Sequence, residues 1–172
     1  MNSNRARVVA VARSYIGTPY HAEARIKGVG VDCATLLAGV YEEAGAISRM
    51  SIEHYPMDWH LHRGGERYVN TLLKHATETA GPPLPGDIAI WKFGRAFSHG
   101  AIVTQWPMVI HACMNSTVRE EDAMAAQWLI TVGEGGPSLG KPRPRKFFTL
   151  WADTDGNSLQ EQSSAGERSP GG

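Results

Sequence analysis

Val31-Asp32-Cys33-Ala34-Thr35-Leu36-Leu37 reads as the opening of a buried helix with a sulfur in its first turn. Asp32 is a strong N-cap, because its carboxylate can accept from the free backbone N–H groups of that turn. Leu36, Leu37, Val40, Tyr41 and Ala44 recur at helical spacing, and Gly45 supplies the stop. A thiol at a helix N-terminus feels the positive end of the macrodipole. That favours thiolate and predicts a pKa below the free value of about 8.5. Such a sulfur is either an inert core filler or a nucleophile, and most free cysteines are simply buried.

The rest of the chain supplies the partners that separate these two roles. It has 172 residues, enough for one domain with a substantial core. Hydrophobic residues make up 42% and charged residues 20%, which places it among ordinary soluble globular proteins. The formal net charge is zero, so no overall field is directed at nucleic acid or anionic lipid, and neither is expected as a partner. Cys33 and Cys113 are the only cysteines, too few for a disulfide framework. The apolar run Val8 to Ala12 is short and broken by Arg13, unlike the core of a signal peptide. No apolar span is long enough to cross a bilayer. Cytoplasmic synthesis without a signal peptide is the expectation, with export left to another machine.

Moving towards the N-terminus, Ala6 to Ile16 reads as a helix ended by Gly17, with Gly17-Thr18-Pro19-Tyr20 a turn and His21 to Gly30 a loop. Lys27-Gly28-Val29-Gly30 lacks the spacing and flanking strand of a phosphate cradle. Towards the C-terminus, Ser48 to Gly65 reads as a solvated loop. Its His60-x-His62 pair lacks the further ligands that a metal site needs. Glu66 to Ala80 fits an amphipathic helix with Tyr68, Leu72, Leu73 and Ala76 on one face. After the break at Gly81-Pro82-Pro83-Leu84-Pro85-Gly86 the period changes to strands. These are Asp87 to Phe93, Ser98 to Thr104, Met108 to Cys113, weaker runs at Ser116 to Glu121 and Trp128 to Val132, and Arg145 to Trp151. Helices followed by an antiparallel meander predict an α+β domain over residues 1–152. Lys141 to Lys146 reads as a solvated linker. Residues 153–172 carry too little apolar surface to offset their ordering entropy and are expected to be a disordered tail.

Thiol hydrolysis needs a thiolate, a histidine to exchange its proton, and a group that orients that histidine. His99 opens one strand and His111 lies on the next. Pairing around Gln105-Trp106-Pro107 would put both imidazoles on one face, one as base towards Cys33 and the other fixing its tautomer. The bland alternative makes each a satisfied sheet residue. Cys113 falls on the same side as His111 and reads as a small buried hydrophobe. A metal site built from Cys33, His99, His111 and Cys113 lacks a close ligand pair, so neither metal nor cofactor is expected.

Gly17-Thr18-Pro19-Tyr20, Asp32-Cys33, Leu84-Pro85-Gly86-Asp87-Ile88, His99-Gly100-Ala101-Ile102-Val103 and Ile110-His111-Ala112 together resemble the NlpC/P60 family in order and spacing. The resemblance covers about residues 5 to 151. It implies a papain-like α+β fold, with N-terminal helices packed on an antiparallel sheet. It also implies cysteine endopeptidase activity on peptidoglycan stem peptides, typically between D-γ-glutamate and diaminopimelate or lysine. The family's catalytic residues fall on Cys33, His99 and His111. Its substrate-lining tyrosine falls on Tyr20, and Asp32 falls where some members hold the substrate amine. Where the family commonly carries Ser then Gly after the cysteine, this chain has Ala34 and Thr35, so a substrate contact is lost or moves to Thr35. The long His21 to Val31 segment resembles the branch found in phage tails and gene-transfer-agent tail tips. That implies tail-tip proteins as partners and the virion tail as the place of action. The rival functions are a silent structural tail component, a metal-binding module, and a thiol amidase or acyltransferase on the same fold.

Overall fold

The structure, a computed structural model, describes residues 3–50, 67–125, 130–133 and 136–151. Helix α1 (Ser3–Ser14) is followed by a short ribbon of β1 (Arg25–Ile26) and β2 (Gly30–Val31), then by helix α2 (Cys33–Glu43) and the short helix α3 (Arg67–Leu72). The strands that follow are β3 (Thr77–Thr79), β4 (Ile88–Phe93), β5 (Ala96–Gln105), β6 (Met108–Ala112), β7 (Val118–Asp122), β8 (Ile130–Gly133), β9 (Gly136–Pro142) and β10 (Arg145–Thr149). Six of them form one antiparallel sheet in the order β3-β10-β4-β5-β6-β7, and β8 pairs with β9 separately.

Strand alternation sorts the apolar residues into two clusters. Ile88, Ile90, Ile102, Ile110 and Phe148 meet Val8 and Ala12 of α1 and Leu36, Leu37, Val40 and Tyr41 of α2. Ala89, Trp91, Ala101, Val103 and Val109 lie on the opposite face with Ala123, and Phe93, Trp106 and Phe147 pack against them. Both faces are therefore buried around β4 to β6. This is why those strands read as continuous apolar runs rather than alternating ones.

The N-terminal helix is locked to the sheet by a buried ion pair. Arg5 donates to the Asp87 carboxylate at 2.8 Å, to the Pro85 carbonyl at 2.9 Å and to the Thr149 hydroxyl at 2.9 Å. Its guanidinium also lies 4.5 Å from the Trp151 ring centroid. The second Asp87 oxygen accepts from the Leu84 N–H at 2.8 Å. Gly86 turns between them at φ +87, where a Cβ would press on the Arg5 backbone at 3.3 Å. The Leu84-Pro85-Gly86-Asp87 motif thus holds α1 against the start of β4.

Three expectations need correction. The helix predicted over Glu66 to Ala80 is only Arg67–Leu72. The chain then turns and Thr77–Thr79 joins the sheet edge beside β10, because β-branched threonines opposite Phe147 and Thr149 gain ladder hydrogen bonds that a solvated helix end would not. Ala76 keeps its predicted place in the core. The His21 to Gly30 loop contains the β1–β2 ribbon, which Arg25 ties to α2 through an ion pair with Glu42. The Lys141 to Lys146 linker is the end of β9 and the start of β10. The His60/His62 loop and the tail 153–172 lie outside the described residues. Among the described residues, no helix is long and apolar enough to cross a membrane.

Candidate active site

Asp32 caps α2 as its sequence predicts. Its Oδ1 accepts from the Ala34 and Thr35 N–H groups at 3.0 and 2.9 Å, and the Thr35 hydroxyl accepts from the Asp32 N–H at 2.8 Å. This is a capping box, with threonine in the reciprocal position. Asp32 Oδ2 accepts from the Glu23 N–H at 2.7 Å and so fastens the loop before the ribbon to the helix mouth. Asp32 and Thr35 are 3% and 2% exposed. Their polar atoms hold the helix start and face no open surface, so a substrate contact at either needs this cap to open.

The cap places Cys33 against β5. Its Sγ lies 3.7 Å from the Ser98 carbonyl, and the Gly100 backbone and Tyr68 hydroxyl also hydrogen-bond to it. The register between β4 and β5 shifts here, with Trp91 opposite His99 and Lys92 opposite Phe97, so Ser98 is the extra residue of a bulge. Bulges re-aim neighbouring side chains and carbonyls, and this one points a carbonyl at the sulfur. Gly100 is required beneath the helix: a Cβ there would come 2.8 Å from Leu37 Cδ1 and would meet the Tyr68 hydroxyl.

The sulfur therefore meets the backbone on both sides of His99. The half-buried His99 ring packs edge-on to Phe93 at 5.8 Å, tilted to Trp91 at 6.3 Å, and edge-on to His111 at 5.4 Å between centroids. The predicted pairing of β5 with β6 is present, and the two imidazoles share a face. His111 is fully buried, and its Nε2 lies 3.0 Å from Glu121 Oε2 on β7. Tyr20 is half-buried beside the helix mouth, bridging to Val31, with its backbone N–H donating to the Ser116 carbonyl at 2.9 Å.

Burial decides the charge state of this site. Desolvation, and next the Asp32 carboxylate, push the Cys33 thiol up to about 12. The hydrogen bonds from Gly100, Tyr68 and Ala34 pull it the other way without prevailing. This reverses the expectation of a helix-stabilised thiolate: a partial charge at the helix end is outweighed by a formal charge one residue away and by loss of water. Burial, then the neighbouring His111, holds His99 well below its ordinary range. Burial, then the Arg119 charge, brings His111 down to about 3. A hydrogen bond with the Ala112 backbone pulls it the other way without prevailing. Burial, then Cys33 once its thiol ionises at high pH, then the Asp32 charge push the Tyr20 hydroxyl up to about 12. The resting site is thus neutral, with a thiol and two uncharged imidazoles.

Tyr68, Ser98, Arg119 and Glu121 are site residues that the sequence did not single out. Glu121 was legible in principle: once β6 and β7 pair, residues 109, 111, 119 and 121 fall on one face. In the sequence Tyr68 is only part of a helix face, and its approach to the sulfur depends on tertiary packing.

No protein-family model matches the sequence, and no curated protein matches it. Solved structures do. The NlpC/p60 domain of the peptidoglycan hydrolase SagA superposes with a TM-score of 0.53 at 20% identity, covering 84% of this chain and 97% of that one. An NlpC protein from Trichomonas vaginalis gives a TM-score of 0.55 at 18% identity, covering 86% of this chain and 44% of that one. A lipoprotein-like NLP/P60 family protein from Staphylococcus aureus gives 0.52 at 18% identity, covering 74% and 39%. This chain spans nearly all of the first and less than half the length of the other two. With two helices laid on one face of a six-stranded antiparallel sheet, the chain has the α+β, papain-like fold of NlpC/P60 domains.

Proposed function

We propose that the protein is a cysteine peptidase of the NlpC/P60 type that hydrolyses peptide bonds in peptidoglycan stem peptides, with Cys33 as nucleophile, His99 as its proton partner and His111 as the group that orients His99. The observation that carries this is the sulfur at the mouth of α2, lodged against the backbone on either side of a histidine whose ring adjoins a second histidine. The fold shared with the NlpC/p60 domain of a peptidoglycan hydrolase and the quoted motifs support it.

A neutral site implies general-base catalysis rather than a standing thiolate. The Cys33 proton passes to His99 as sulfur attacks the scissile carbonyl. The oxyanion forms beside the backbone N–H of Cys33, the first-turn N–H that the Asp32 cap does not take up, with Tyr20 lining the approach. His99 then protonates the leaving amine and activates the water that releases the acyl-enzyme. Catalysis requires the His99 ring to close on the sulfur when substrate docks, a tightening common between free and reacting enzymes. The expected bond is that between D-γ-glutamate and diaminopimelate or lysine. Delivery on a phage tail tip, with tail-tip proteins as partners, rests on the His21 to Val31 segment alone. Digestion of purified peptidoglycan, read by mass spectrometry of the released muropeptides, tests activity and bond together. Wild type should release peptides and Cys33→Ala should not; equal release by both excludes this chemistry.

A further inference from the structure

We propose that His111, Cys113 and Glu121 form a binding site for a thiophilic divalent cation of the zinc class. Cys113 follows His111 by two residues at the end of β6, so their side chains leave the same face. On β7, Arg119 is opposite His111 and Glu121 is opposite Val109, so Glu121 reaches His111 on the diagonal. The three ligand atoms lie within 4.8 Å of one another. His111 Nε2 is 3.0 Å from Glu121 Oε2 and 3.4 Å from Cys113 Sγ. Zinc bonds of about 2.0–2.3 Å in a tetrahedron set neighbouring ligand atoms roughly 3.3–3.6 Å apart, so small side-chain adjustments suffice. Imidazole, thiolate and carboxylate together are a borderline-soft donor set. The sulfur selects against magnesium and calcium, and the fourth position is left for water.

The sulfur is also 3.4 Å from His111 Nδ1, so it lies against the ring rather than along one nitrogen's lone pair. A cation already bridges two of the three groups. Arg119 Nε donates to Cys113 Sγ at 3.0 Å, and the same nitrogen lies 2.9 Å from Glu121 Oε1. Its side chain is 45% exposed and can swing into water when a metal takes its place. On coordination the Cys113 thiol gives its proton to solvent, the Arg119 contacts break, and three metal–ligand bonds form. If His99 and His111 act as proposed above, occupancy commits His111 Nε2 to the metal. It also sets a positive charge beside His99, so the metal would inhibit the peptidase.

The site can be tested without reference to activity, using the full chain carrying Cys33→Ala, which leaves Cys113 as the only thiol. Zinc is titrated against a chromophoric chelator, and cobalt is added to read sulfur-to-metal charge-transfer absorption. One zinc per chain and a charge-transfer band are expected, with affinity falling about tenfold or more in Glu121→Gln and with loss of the band in Cys113→Ser. Glu121→Gln changes a partly exposed, near-isosteric group and keeps the test valid if Cys113→Ser folds poorly. Absence of stoichiometric binding, or binding untouched by Glu121→Gln, overturns the proposal. A wild-type protein with no peptidase activity that still binds zinc in this way would refute the peptidase and leave the cation site standing.

Discussion

The protonation state of Cys33 separates two kinds of thiol enzyme, and its consequence can be worked out in advance. With the thiol pushed up to about 12, only about one molecule in 10^5 carries a thiolate at pH 7, against roughly 3% for a free thiol of pKa about 8.5. A more basic thiolate is a better nucleophile, and a Brønsted slope of about 0.4–0.5 over roughly 3.5 pH units recovers some 25- to 60-fold. Alkylation of Cys33 by iodoacetamide at pH 7 should therefore run roughly 50- to 100-fold slower than that of free cysteine. Its logarithm should climb with near-unit slope from pH 6 to pH 10. Peptide mapping by mass spectrometry distinguishes Cys33 from Cys113 in the same sample. Restricted access to the half-buried sulfur lowers the whole curve without changing its slope. A plateau below pH 8, or labelling faster than free cysteine at neutral pH, would refute the neutral site and point to a standing thiolate–imidazolium pair.

Three further outcomes follow from the geometry. Replacing Arg5 by Met strands the Asp87 carboxylate, both residues being at most 3% exposed, and should cost about 3–5 kcal/mol in urea unfolding. Arg5→Met with Asp87→Leu should cost less than the sum of the singles, and a loss below about 1 kcal/mol for Arg5→Met would show that the pair is not what holds α1. Gly100→Ala drives a methyl into Leu37 and Tyr68 and should destabilise by about 1–3 kcal/mol. Because it displaces the start of α2, peptidoglycan digestion should fall further than the melting temperature implies, and unchanged digestion would count against the placement of Cys33. Acidification should weaken the fold through the imidazoles. His99 and His111 are held neutral in the folded state, so below about pH 6.5 the unfolded chain binds protons that the native chain refuses, and stability is lost as pH falls. Urea unfolding between pH 6.5 and 5 should lose up to about 1.4 kcal/mol per pH unit for each such histidine, and a flat profile there would exclude buried neutral rings.

Much of the frame was legible because it is set by neighbours in the chain. Asp32 caps α2 and Gly45 ends it, and both effects act within one turn. The apolar runs from Ile88 to Ala112 locate β4, β5 and β6, and the short Gln105-Trp106-Pro107 connection makes their pairing antiparallel, which sets His99 near His111. The edge of the sheet was not legible. Thr77–Thr79 lies where helical periodicity also fits, and only the presence of β10 beside it decides the outcome.

The site divides in the same way. Sequence alone determined which residues are candidates: a capped cysteine and two histidines on adjoining strands. Tertiary structure decided what state they are in. It set the Asp32 charge and a dry environment against the helix dipole at Cys33, brought Tyr68 and the Ser98 carbonyl to the sulfur, and placed Glu121, Arg119 and Cys113 around His111. Caps and periodicity are properties of a few consecutive residues. Desolvation depends on everything packed around an atom, and that packing is drawn from α2, α3, β5, β6 and β7 at once.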